Sequence, residues 1–118
     1  MARVLVLDDD LAIAINVAKL VEFYKHEAVM ETNSIDAVAK WTKENLACII
    51  VDHNMPFMDG VDVLTIFADS SPQTRRIMLT ASPLQKEVQD ALREGIVQKV
   101  MSKPAMLHDM EIVLAWLD

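Results

Sequence analysis

The chain has 118 residues, 53% of them apolar, and carries eleven basic against eighteen acidic side chains for a net charge of −7. That length predicts one domain over residues 1–118, and that apolar share suffices for a core without disulfide staples, which excludes intrinsic disorder. Its apolar runs stop at six residues, far short of the ~18 a membrane span needs; its basic residues are scattered, and one cysteine with two glycines builds neither a multi-cysteine metal site nor a GxGxxG or GxxxxGK[ST] phosphate loop.

Val4–Leu7 reads as a first strand, apolar on both faces as in a covered parallel sheet. Ile13, Val17, Leu20 and Tyr24 then recur at helical spacing. Ala28–Thr32 is a weaker strand containing Glu31, and Ile35, Val38 and Trp41 form a second helical stripe with Ser34 as its N-cap. Cys48–Val51 is the third strand, with Cys48 as buried filling, and Val61, Leu64 and Phe67 follow Asp59-Gly60 as a third helix. Ile77–Leu79 is the fourth strand. Ser82-Pro83, an N-cap with proline at the first helical position, opens a fourth helix carrying Leu84, Val88, Ala91 and Leu92, and Gly95 closes it. Val97–Ser102, diluted by Gln98 and Lys99, makes a fifth strand, and Leu107, Met110, Leu114 and Leu117 make a last helix after Pro104. The pattern is (βα)5. It predicts an α/β, doubly wound, three-layer sandwich around a parallel five-stranded sheet of order 2-1-3-4-5, flavodoxin-like, with the two weaker strands at the edges.

Ligands bind such sheets at the carboxyl ends of the strands. Asp8-Asp9-Asp10 leaves strand one, Asp52 leaves strand three, Thr80 strand four, and Ser102-Lys103 strand five. Carboxylates crowded on one rim repel one another unless a cation neutralises them, and oxygen ligands without histidine or thiolate point to Mg2+ or Mn2+. A single aspartate after a strand is ordinarily a helix N-cap, the role assigned to Asp10; acids at two strand ends and polar groups at four go beyond that. His26, His53 and His108 are scattered and read as solvated, while Met106 and Met110 suit an adaptable contact face.

Over its whole length the sequence resembles the receiver domain of two-component response regulators. Val4–Leu7 followed by Asp8-Asp9-Asp10 is similar to that family's opening strand and acidic pair, and Asp52–Gly60 to its phosphoacceptor segment D-x-x-M-P-x-M-D-G. Thr80-Ala81 resembles the switch hydroxyl with its small follower, and Lys103-Pro104 the lysine with its cis-peptide proline. The resemblance implies that Asp52 takes a phosphoryl group from a phosphohistidine, and that Asp8, Asp9, Asp52 and the backbone carbonyl of Asn54 hold Mg2+. Lys103 and Thr80 would contact the phosphoryl oxygens, and Asn54 and Ser82 would gate dephosphorylation. The chain would be a regulatory phosphoacceptor rather than an enzyme.

The implied partners are a sensor histidine kinase or histidine phosphotransfer protein, and an output domain or partner docked on the face of the fourth helix, fifth strand and fifth helix. Lys86, Gln89, Arg93, Lys99, Asp109 and Glu111 are that face's candidate contacts, and charges of both signs there suit a homodimer on phosphorylation. Neither nucleic acid nor membrane is expected to bind, and a cytoplasmic location is. Two departures stand out. Val100 sits where the family usually has an aromatic switch residue, and Gly95 and Lys103 are eight apart where seven is commoner, a spacing shared with receivers joined to hydrolase-type outputs. Two alternatives compete: a haloacid-dehalogenase-type phosphatase using Asp8 and Asp10 as its D-x-D pair, which leaves the Asp52 segment unexplained, and a degenerate, unphosphorylated interaction module.

Overall fold

The computed structural model describes residues 2–117. In chain order the elements are β1 (Arg3–Leu7), α1 (Leu11–Phe23), β2 (Glu27–Glu31), α2 (Ser34–Trp41), β3 (Cys48–Asp52), α3 (Gly60–Ser70), β4 (Arg75–Thr80), α4 (Lys86–Arg93), β5 (Lys99–Ser102) and α5 (Leu107–Ala115). All strand pairs are parallel and the sheet order is β2-β1-β3-β4-β5, as the sequence predicts.

The strands are apolar throughout because each face of the sheet carries its own core, and successive side chains point to opposite faces. Val4, Val6, Ile50, Ile77 and Met101 pack toward α1 and α5, meeting Val17, Val21, Met110 and Leu114. Leu5, Leu7, Ile49, Val51 and Met78 pack toward α2, α3 and α4, meeting Trp41, Leu64, Phe67 and Val88. Cys48 is fully buried in the first of these cores, and burial pushes its thiol pKa up.

Several local expectations are corrected. Asn33, not Ser34, caps α2 by accepting from the Asp36 amide at 3.0 Å; Ser34 is buried as the first helical residue. The buried face of α2 is Ser34, Ala37 and Trp41, which leaves Ile35 half exposed. α4 begins at Lys86 rather than after Ser82, because Ser82–Gln85 closes a turn of its own, the Gln85 amide donating to the Ser82 carbonyl at 3.1 Å. Leu84 therefore lies outside the helix and is exposed. Met110 is fully buried and belongs to the core, not to a contact face, whereas Met106 is exposed. Gly95 follows α4 at φ +80°, the left-handed conformation that favours glycine after a helix.

One buried cation sets the far end of α4. Arg76 donates through Nε to Ile96 O at 2.9 Å, through one terminal nitrogen to Pro72 O and Thr74 O at 3.1 Å each, and through the other to Gly95 O at 3.2 Å. It gathers the carbonyls of two loops on the amino-terminal side of the sheet, opposite the acidic rim. Burial lowers its pKa, and among the described residues no carboxylate is a hydrogen-bond partner of its guanidinium.

Candidate functional site

The parallel register brings the ends of β1, β3, β4 and β5 to one rim. Asp8, Asp9 and Asp52 each place a carboxylate oxygen within 4.8 Å of the others, Asp8 and Asp52 buried and Asp9 exposed. Lys103 bridges them, its Nζ 3.0 Å from Asp8 Oδ2 and 3.1 Å from Asp52 Oδ1. Three carboxylates and one ammonium leave the site two negative charges in excess, which a divalent cation balances, and the all-oxygen donor set fits a hard ion.

Burial and the neighbouring Asp52 charge raise the Asp8 pKa above the ordinary carboxylate value, against the opposing pull of the Asp10 amide and Lys103. Burial works against the Lys103 ammonium, yet its hydrogen bonds to Asp8 and Asp52 outweigh it and raise the Lys103 pKa. The lysine is expected from the sequence at this rim, but its double ion pair with the resting carboxylates is not.

Asp10 stays out of the pocket. Its Oδ1 accepts from the Ala12 and Ile13 amides at 3.0 and 3.4 Å, capping α1, and its own amide donates to Asp8 Oδ1 at 2.9 Å. The D-x-D pairing of Asp8 with Asp10 is therefore not formed, since Asp10 is occupied as the helix cap the sequence assigns to it.

Thr80 is fully buried at the end of β4, and its hydroxyl oxygen accepts from the Ser82 amide at 3.1 Å. The Thr80 carbonyl accepts from the Lys103 amide at 2.9 Å, tying the hydroxyl strand to the lysine loop, where the Lys103–Pro104 peptide is cis. Asn54 and Ser82 are both exposed at the rim. Beside Lys103, a groove of about 520 Å³ runs between α1 and the loop after β5, lined by Ile13, Asn16, Val17, Lys19, Leu20 and Pro104.

The Asp52 loop is fixed from behind by α3. Asp59 and Asp62 form a reciprocal capping box, and the Gly60 amide donates to the His53 carbonyl at 2.9 Å. Two histidine expectations are overturned. His53 is buried, 2% exposed, with Nε2 3.0 Å from Glu87 Oε2; His26 is buried too, with Nδ1 accepting from the Ala2 amide at 3.1 Å. His108 alone is exposed as expected. Glu87 lies 34 residues from His53, so no local pattern announces their pairing.

On the expected output face, Lys86, Arg93 and Glu111 are exposed, but Gln89, Lys99 and Asp109 are half-buried. Gln89 donates to Pro83 O at 2.7 Å, and the Lys99 ammonium lies 4.9 Å from the Trp116 ring centre, with Arg75 also over that ring at 4.4 Å.

Residues 4–115 match the family described as response regulator receiver domain. The chain is 29% identical over 96 residues to the chemotaxis protein CheY of Listeria monocytogenes, covering 80% of this chain and 81% of that protein. It superposes on a CheY-like receiver domain protein from Methanospirillum hungatei with a TM-score of 0.90 at 24% identity, covering 100% of this chain and 94% of the other. It likewise superposes on the response regulator TrrA of Thermotoga maritima, solved in complex with Mg(2+)-BeF, with a TM-score of 0.86 at 21% identity over the full length of both chains.

Proposed function

This chain belongs to the response regulator receiver family, and on that premise we propose that Asp52 is its phosphorylation site, with a histidine kinase or histidine phosphotransfer protein as phosphoryl donor. A receiver is a regulatory phosphoacceptor, not an enzyme that turns over a substrate. The observation that carries the assignment is Lys103 Nζ lodged between Asp8 and Asp52.

Asp52 attacks phosphorus through a carboxylate oxygen as the phosphorus–nitrogen bond to the donor imidazole breaks; the released nitrogen keeps the bonding pair and is free to take up a proton. Lys103 already sits on Asp52 Oδ1, so moving its ammonium onto an incoming phosphoryl oxygen needs only a local shift. Thr80 turns its hydroxyl from the Ser82 amide to another of those oxygens. Asp8, Asp9, Asp52 and the Asn54 carbonyl would hold Mg2+, which when bound would neutralise charge on the phosphoryl oxygens. Asn54 and Ser82 flank the path of the water that later hydrolyses the acyl phosphate. The groove between α1 and the β5–α5 loop, part apolar and part basic, suits a donor helix approaching from the Lys103 side.

The output leaves through α4, β5 and α5, to a partner or a second phosphorylated copy. Val100 is half-buried and offers no ring to rotate, so backbone movement after Thr80 carries the signal. Among the described residues no helix is long and apolar enough to cross a membrane.

Acetyl phosphate or phosphoramidate with Mg2+ should add one phosphoryl group, labile to hydroxylamine, as read by intact mass. Asp52→Asn should remove it, and labelling that persists in that variant would overturn the assignment.

A further inference from the structure

One contact joins the phosphoacceptor loop directly to α4, and the phosphoryl chemistry does not use it. His53 follows Asp52, is 2% exposed, and has Nε2 3.0 Å from Oε2 of Glu87 in the first turn of α4. Its Nδ1 is buried and has no hydrogen-bond partner among the described residues. Together these partners assign the tautomer: Nε2 carries the proton and donates to Glu87, and Nδ1 keeps a bare lone pair. Asp59 brings a second carboxylate within 4.8 Å, but a metal ion on the nitrogen facing Glu87 would send the proton to Nδ1, where nothing accepts it. The contact is therefore a link between elements, not a metal site.

Both ends of the link are placed to transmit movement. The His53 carbonyl accepts from the Met55 amide at 3.1 Å and the Gly60 amide at 2.9 Å, so the backbone that presents Asn54 and starts α3 is the backbone that carries the ring. At the other end, α4 begins weakly: its N-cap Gln85 makes no side-chain capping bond to the backbone, and Glu87 is 61% exposed, its Oε2 3.0 Å from His53 Nε2 and accepting more loosely from Gln85 Nε2 at 3.3 Å. Val100 leaves β5 without a ring that could report on this end of α4.

We propose that the His53–Glu87 hydrogen bond is a latch that holds the start of α4 in its unphosphorylated position and is released when Asp52 is phosphorylated. Glu87 is thus a positioning residue that acts on the site through His53. The latch rests on Asp52 being the phosphoacceptor. Coupling between two sites is reciprocal, so breaking the latch by mutation must favour the phosphorylated form by whatever the bond contributes to the resting one. A partly exposed hydrogen bond of this kind corresponds to about a fivefold change in an equilibrium.

The test titrates beryllofluoride with Mg2+ into the full chain, comparing wild type, Glu87→Ala and Glu87→Gln, and follows amide hydrogen exchange in the first turn of α4. Glu87→Ala should bind beryllofluoride about fivefold more tightly, and its α4 amides should exchange without ligand as fast as those of ligated wild type. Glu87→Gln keeps an oxygen that can accept from Nε2 and should stay near wild type in both readouts. Equal or weaker binding by Glu87→Ala with unchanged α4 exchange overturns the latch, as does a Glu87→Gln that behaves like Glu87→Ala. If wild type itself fails to bind beryllofluoride, the phosphoacceptor reading falls and the latch with it.

Discussion

A Cβ built on Gly60 would lie 2.7 Å from the carbonyl oxygen of Asp52. It would also lie 2.8 Å from the His53 Cα and 2.9 Å from the Met78 sulfur. Two of those three atoms are backbone that cannot swing aside, so α3 approaches the end of β3 as closely as it does only because residue 60 has no side chain.

Gly60→Ala should therefore push α3 away from β3 and displace Asp52. Overpacking of this kind costs about 1–3 kcal/mol, read as a lower urea midpoint. Because phosphoryl transfer depends on placement, labelling by acetyl phosphate should slow by roughly tenfold to a hundredfold. Wild-type labelling in a stably folded Gly60→Ala would mean that the loop absorbs the methyl without moving Asp52.

The raised pKa of Asp8 sets a pH dependence for the metal-free protein. A carboxyl that holds its proton more tightly folded than unfolded adds stability in acid, fully present below about 3.8, and that contribution is lost as pH rises through the raised folded value. At neutral pH the buried charge is a cost. Asp8→Asn, which keeps an oxygen for the Asp10 amide, should melt above wild type at pH 7 in chelator, with the difference shrinking toward pH 3. A variant that melts below wild type at pH 7 would show that the ion pair with Lys103 outweighs burial.

The same cluster predicts a response to metal. Mg2+ at ten times its dissociation constant should stabilise wild type by about 1.4 kcal/mol, and Asp9→Ala should abolish the shift. Asp9 is the exposed member of the cluster, so its loss should leave the metal-free fold intact. A full Mg2+ shift in Asp9→Ala would place the ion elsewhere.

Lifetime of the acyl phosphate is expected to follow the exposed rim. Neither Asn54 nor Ser82 carries a carboxylate to orient water, so decay over minutes rather than hours is expected. Ser82→Arg should slow it by covering the approach to Asp52, while Asp52 labelling itself continues. An unchanged decay rate by mass spectrometry would remove Ser82 from the water path.

Arg76→Lys should cost about 2–4 kcal/mol of stability, because an ammonium cannot reach the four carbonyls that the guanidinium spans. Urea denaturation reads this directly, and a loss below about 1 kcal/mol would show that those carbonyls find other donors.

What the sequence discloses about this molecule follows the range of each interaction. β1, β3 and β4 are legible because strands covered on both faces must be apolar on both faces, and the acidic rim is legible because parallel strands deliver their ends to one edge. The phase of α2 is not: Ile35 outranks Ser34 in hydrophobicity, yet Ser34 is the buried one, with its hydroxyl 3.4 Å from the Pro56 carbonyl. Ser82-Pro83 carries the pattern of a helix start but serves a turn, since the Thr80 hydroxyl claims the Ser82 amide and Gln89 reaches back to the Pro83 carbonyl. His53 reads as solvated because the carboxylate that it meets is supplied by α4, and nothing in its neighbourhood of sequence anticipates that partner.

Arg76 gives α4 a fulcrum. The helix is eight residues long, about 12 Å, and its Arg93 end leads into the Gly95 and Ile96 carbonyls that the guanidinium holds. A rod gripped at one end and released at the other pivots rather than slides, and a tilt of about 10° would carry the Lys86 end through about 2 Å over that length. The stroke is then greatest at the end nearest the acidic rim and vanishes at the opposite edge of the sheet. A partner that reads α4 would gain most by gripping Lys86 and least by gripping Arg93.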